Sequence, residues 1–80
     1  MMPRYPRFVY VTNFSSATVS MYTINQTTGV LSANGTIAAG TQPRDIVVDP
    51  SGRFVYAANN GSNSVSMYSI NQTTGSLTSI

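Results

Sequence analysis

Val19-Ser20-Met21-Tyr22-Thr23-Ile24-Asn25-Gln26-Thr27-Thr28-Gly29 recurs 46 residues further on as Val65-Ser66-Met67-Tyr68-Ser69-Ile70-Asn71-Gln72-Thr73-Thr74-Gly75. Upstream of each copy stands another matched pair, Arg7-Phe8-Val9-Tyr10 and Arg53-Phe54-Val55-Tyr56, at the same offset. Laying 7–34 over 53–80 gives 28 pairs, of which 17 are identical. The chain is therefore one unit written nearly twice. Self-similarity at a fixed period marks units that cannot bury their apolar faces alone and must stack on neighbours.

The composition says what kind of unit it is. Ser (11), Thr (10), Val (8) and Asn (7) dominate, with two leucines and six alanines. That mixture is poor in helix formers and rich in strand and turn formers. Read locally, Arg44–Val48 is a β-branched strand. Asp49-Pro50-Ser51-Gly52 is a tight turn, with proline pre-setting φ and glycine free to take φ > 0. Arg53–Ala58 is the next strand, and Asn59–Asn63 a hairpin loop with Asn60-Gly61 as its turn signal. Ser64–Ile70 follows, then the loop Asn71–Gly75 and a last strand in Ser76–Ile80. The first copy supplies strands in Arg7–Asn13 and Thr18–Ile24. Loops this short require an antiparallel meander.

Both faces of that meander are apolar. Phe8 and Tyr10 point one way and Val9 and Val11 the other; Val19 and Met21 share a face opposite Tyr22 and Ile24. A sheet solvated on one side would alternate apolar with polar. With no helical segment to cover either face, the covering layers must be other sheets. A period in the forties made of strands then predicts an all-β fold of β-propeller blades, each a four-stranded antiparallel meander, with about 1.7 repeats per chain.

The same inventory narrows the function classes. The sequence holds no Cys, His or Trp, and its charged residues are four arginines (Arg4, Arg7, Arg44, Arg53) and two aspartates (Asp45, Asp49). Disulfides, thiolate metal sites and cysteine nucleophiles are excluded, as is a histidine base. No metal-ligand spacing, phosphate loop or dinucleotide fingerprint is present, so no cofactor or metal is expected. A net charge of +2 without a basic stripe does not suggest nucleic acid. No apolar run approaches the ~20 residues of a membrane helix, and Met1–Pro6 shows no leader-like apolar region.

Tyr10-Val11-Thr12-Asn13, followed by Thr18-Val19-Ser20-Met21-Tyr22, resembles the YVTN β-propeller repeat. Pro43-Arg44-Asp45-Ile46-Val47-Val48-Asp49-Pro50-Ser51-Gly52-Arg53-Phe54-Val55-Tyr56 is similar to a blade of the seven-bladed, 6-phosphogluconolactonase-like lactonase propellers. The resemblance covers about residues 7 to 80. It implies that the first strand of each blade lines a central channel and the fourth lies outermost, with about seven blades per family member. On that frame the chain divides into a segment 1–6, an incomplete blade 7–42 lacking its inner strand, and a second blade 43–80 with a shortened outer strand.

Two blades cannot close a ring, and each leaves an apolar face in water. The expectation is a cyclic homo-oligomer, a six-bladed trimer first and an eight-bladed tetramer next. Uncovered, the uncharged β-prone windows Phe8–Thr12 and Val19–Ile24 are aggregation hazards.

Candidate site residues are few. The resemblance puts Arg44 and Asp45 at a channel mouth, where a symmetric set of arginines suits a small anionic or carbohydrate-like ligand; the competing reading is a local ion pair or hydrogen bonds to loop carbonyls. Asp45 and Asp49 are four residues apart, ~13 Å along a strand, beyond the ~5–9.5 Å of a glycosidase pair. Asp49 reads better as the first residue of its turn. Arg7 and Arg53 read as covers of a strand edge or partners of an aspartate such as Asp49. Tyr10, Tyr22, Tyr56 and Tyr68 recur with the period and read as inter-blade packing rather than a stacking platform. The Asn-x-Ser/Thr triplets at Asn13, Asn25, Asn34, Asn60 and Asn71 read as turn chemistry. Serines and threonines have no partner base.

Two functions are weighed. One is a structural or binding module that self-assembles into a ring, with no catalytic residue of its own. The other, implied by the resemblance, is a lactone hydrolase or isomerase acting at the channel. Related cyclase-type propellers are thought to use His, Glu and Arg, and this sequence has neither His nor Glu to receive those roles.

Overall fold

The structure, a computed structural model, describes residues 7–80; the segment 1–6 lies outside them. Seven strands follow in order: β1 (Phe8–Asn13), β2 (Thr18–Ile24), β3 (Leu31–Ala38), β4 (Pro43–Val48), β5 (Phe54–Asn59), β6 (Ser64–Ile70) and β7 (Leu77–Ser79). They form a three-stranded sheet β1-β2-β3 and a four-stranded sheet β4-β5-β6-β7, each an antiparallel meander. No helix among the described residues is long and apolar enough to cross a membrane. The fold is all-β, as the repeat predicts, with propeller-type blades. Among the described residues the first sheet has no counterpart of β4, and β7 has three residues where β3 has eight.

The two sheets share one register. Tyr10 pairs with Met21 in the first and Tyr56 with Met67 in the second. Identical strand sequences thus adopt identical pairings, and the loops between them are copied too. In Asn25–Gly29 the Asn25 Oδ1 accepts the amides of Thr27 (2.9 Å) and Thr28 (3.0 Å), and the Gly29 amide returns to the Asn25 carbonyl at 2.7 Å. Asn71–Gly75 repeats this, with Asn71 Oδ1 accepting from Thr73 and Thr74. Both glycines sit at φ +79°, the left-handed region that ends such a turn at least cost. At Asp49 the carboxylate accepts the Ser51 amide at 2.7 Å, and the Gly52 amide closes onto the Asp49 carbonyl at 2.7 Å. The Asp-Pro-Ser-Gly turn is as read.

The hairpin loops differ from their expected form. The left-handed residues are Ala17 (φ 58°) and Asn63 (φ 51°), not Gly61. These loops run four residues, and their last residue takes the αL position. Gly61 serves another purpose: its amide reaches the Thr41 carbonyl at 3.0 Å, and a Cβ there would sit 2.8 Å from Thr41 Cγ2. Asn60-Gly61 marks a close approach of two backbones rather than a primed turn.

The core lies between the sheets. Val19 and Met21 of β2 face Val55, Ala57, Tyr68, Ile70 and Leu77 of the second sheet, with Phe8, Tyr10, Ile37 and Ile46 packed around them. Each such side chain contributes roughly 1.5–3 kcal/mol when fully removed from water. Phe8 lies against the Gly75 turn so closely that a Cβ on Gly75 would fall 2.3 Å from its ring. Tyr10 donates its hydroxyl to the Gly75 carbonyl (2.7 Å), and Tyr68 donates to the Ala38 carbonyl (2.7 Å). Two of the four periodic tyrosines thus pack and bond across the sheets. Thr12 Oγ1 donates to the Arg44 carbonyl at 2.8 Å, tying β1 to β4.

Two consequences can be measured. Ala17 holds a conformation that an L-alanine adopts only at a cost of roughly 1–2 kcal/mol. Asn tolerates it better. Replacing Ala17 by Asn, the residue at the equivalent position 63, should raise stability by about 1 kcal/mol in urea unfolding. Burial pushes the Tyr10 phenol up to about 12 from its ordinary 10.0. Because the folded value is the higher one, this stabilisation is complete below the unfolded pKa and is lost as pH rises through the folded one. Tyr10→Phe should be less stable than the parent near neutrality by about 1 kcal/mol, from the lost hydrogen bond. The gap should narrow on alkaline titration toward the folded value; a gap independent of pH would contradict the assignment.

Candidate functional site

The local turn chemistry leaves one end of β4 open. Pro43 is buried, and the register between β4 and β5 shifts between Pro43 and Asp45. A bulge of this kind re-aims side chains. Arg44 and Asp45, both exposed, line an open cavity of about 410 Å³ with Asn59, Asn60, Asn63 and Ser64. The two residues singled out in the sequence are brought to one cavity. Arg44 places its guanidinium 5.9 Å from the centre of the Phe14 ring, a cation–π contact that holds it beside the first hairpin loop.

One of the residues lining this cavity is an asparagine that sequence reading left in a loop. Asn59 is buried and ends β5. Its Nδ2 donates to Ser66 Oγ at 2.9 Å and Ser64 Oγ at 3.3 Å, while its Oδ1 is buried with no partner among the described residues. Gly40 lies against it, where a Cβ would be 2.6 Å from Nδ2. Asn13 does the same work in the first sheet, donating to Ser20 Oγ at 2.7 Å and Thr18 Oγ1 at 3.0 Å. The signal that could have found it was its identity at both copies of the repeat.

The remaining candidates take structural roles. Asp49 Oδ1 accepts both the hydroxyl and the amide of Ser51, and these bonds, with Arg53 adding, hold its carboxyl below the usual carboxylate range. It is a turn residue, not half of an acid–base pair with Asp45. Arg7 stacks over Phe8 (5.0 Å) and donates to the Gln72 carbonyl; Arg53 stacks over Phe54 (5.6 Å). Both guanidiniums lie over the aromatic ring of the next residue, and that of Arg7 also reaches the other sheet's loop. Among the described residues no three metal-ligating side chains cluster. The cavity therefore offers one fixed cation, one carboxylate, amide groups and a hydroxyl. That set can orient an anion or a polyhydroxylated molecule.

Comparison with known proteins fits this geometry. None of the curated proteins matches the chain. Among solved structures, a Bacteroides fragilis NCTC 9343 protein provisionally named 6-phosphogluconolactonase superposes with a TM-score of 0.88 at 28% identity, covering 92% of this chain and 21% of its own. A similarly named Bacteroides uniformis ATCC 8492 protein gives 0.87 at 27% identity, covering 91% and 22%. A functionally unknown Desulfotomaculum acetoxidans DSM 771 protein shares the fold, with a TM-score of 0.81 at 21% identity. The chain thus spans about a fifth of the length of the structures it matches. The family model described as a lactonase, seven-bladed β-propeller, matches residues 4–80, and on that match the chain belongs to the lactonase family of seven-bladed β-propellers.

Proposed function

We propose that the chain is a propeller building block that self-assembles into a multi-bladed ring and acts as a structural and binding module without catalysis of its own. One observation carries this reading. Val65 and Met67 occupy the same repeat positions as the buried Val19 and Met21, yet they are exposed. Apolar side chains with a buried twin mark a face that lacks its covering sheet. Three chains of two blades make a six-bladed ring and four an eight-bladed one; a seven-bladed ring cannot be built from such pairs. The trimer is favoured. In such a ring Arg44 and Asp45 would recur around the channel mouth and take a small anionic or carbohydrate-like ligand. Light scattering behind size exclusion should give three times the 8.5 kDa chain mass. A folded monomer would end this reading.

The family membership favours a second reading, lactone hydrolysis or isomerisation at the channel. Against it stands the inventory: no His, Cys, Glu or Lys in the whole sequence to serve as base or nucleophile near neutral pH. A lactone-hydrolysis assay on the chain and on Arg44→Ala separates the two. No turnover above buffer is expected from either; turnover that disappears with Arg44 would reverse the ranking.

A further inference from the structure

We infer that copies of this chain join head to tail by repeating, between chains, the joint that holds the β1–β3 sheet against the β4–β7 sheet within one chain. The inference rests on the self-assembly reading and specifies its surface.

The internal joint has a donor side and a receiving side. The donor side is Phe8, Tyr10, Val19 and Met21. The receiving side is the Gly75 turn with Tyr68, Ile70 and Leu77. Across it Tyr10 bonds the Gly75 carbonyl, and the Leu77 amide meets Met21 Sδ at 3.3 Å. Each half exists a second time, unused. Forty-six residues after the donor side come Phe54, Tyr56, Val65 and Met67, the same four side chains in the same register. Val19 is 0% and Met21 7% exposed, whereas Val65 is 57% and Met67 46%. Forty-six residues before the receiving side come Gly29, Tyr22, Ile24 and Leu31, again the same residues. Leu77 is 6% exposed and Leu31 48%. Gly29 holds the same φ of +79° as Gly75, but nothing lies within 4 Å of where its Cβ would be.

The unused donor face and the unused receiving face are therefore the two halves of one interface, carried on opposite sides of one molecule. A second copy fits them: Phe54 of one chain on the Gly29 turn of the next, Tyr56 toward the Gly29 carbonyl, Met67 opposite the Leu31 amide. Three polar links do not carry over: Thr12 and Asn34 correspond to Ala58 and Ile80, and the Ala38 carbonyl that Tyr68 meets has no counterpart within residues 1–80. The joint between chains is thus more apolar than the joint within one. It is also heterologous, because a donor face mates only with a receiving face, so copies close into a ring or grow.

The test is a mixing experiment. Val65→Arg blocks the donor face and Leu31→Arg the receiving face; both positions are exposed in the single chain, so neither change disturbs its core. The parent should assemble, and each variant alone should run as a monomer. A one-to-one mixture should give a two-chain complex that grows no further. A variant that dimerises by itself, a variant that assembles like the parent, or a mixture that stays monomeric would overturn the joint while leaving assembly intact. A monomeric parent overturns the assembly reading, and the joint with it. A second measurement covers variants that fail to fold. The sequence has no cysteine, so Leu31→Cys with Met67→Cys in one chain should be linked into a ladder of oligomers by a short bis-maleimide, and Met67→Cys alone should not. Linked dimers from Met67→Cys alone, or no ladder from the pair, would refute head-to-tail docking.

Discussion

A sheet with apolar side chains on both faces must be covered on both, and most of this structure follows from that. Within the chain the rule is satisfied once, where the two sheets meet, and the side chains at that contact account for the whole buried core. On the two outward faces the same side chain types lie in the same register with no covering sheet among the described residues. The contrast between equivalent positions is informative because it holds sequence, strand pairing and local turn constant. Only the neighbour differs.

The contact depends on small residues as much as on large ones. Phe8 can lie on the next sheet only because Gly75 has no Cβ, and the left-handed φ of that glycine also ends the Asn71 turn. One residue therefore meets a local demand and a tertiary one. Gly40 and Gly61 meet only tertiary demands, admitting Asn59 and the side chains of Thr41 and Gln42. The asparagines at 13 and 59 then fasten the base of each hairpin through serine and threonine hydroxyls. Polar side chains take over at the loop ends the pinning that apolar packing provides in mid-sheet.

What could be read from the sequence divides along the same line. Strand positions, the meander order and the apolar patterning of both sheet faces were legible because period-2 alternation and the 46-residue offset are local or self-referential signals. The Asp49 turn was legible from its residue types. The hairpin loops were not. Asn60-Gly61 carries a strong primed-turn signal, yet the positive φ falls on Asn63 and on an alanine, because loop length set by the pairing decides which residue must turn left-handed. Of the cavity, Arg44 and Asp45 were visible as charges at a strand entry. Asn59 was not, since only tertiary contact shows it buried between Gly40 and the serines of β6.

The chemistry of the cavity follows from where charge is allowed. With the strand interiors given over to apolar and uncharged side chains, the charged groups of the described residues sit at strand ends and turns. Asp49 is used by Ser51, and Arg7 and Arg53 by the aromatic rings beside them. Arg44 and Asp45 remain beside an open cavity lined also by Asn59, whose buried amide oxygen has no partner among the described residues. A buried acceptor without a donor costs roughly 1–3 kcal/mol, a cost that a ligand hydroxyl or a bound water would remove. The proposed anionic or carbohydrate-like ligand rests on these groups, a guanidinium and a carboxylate beside amide side chains.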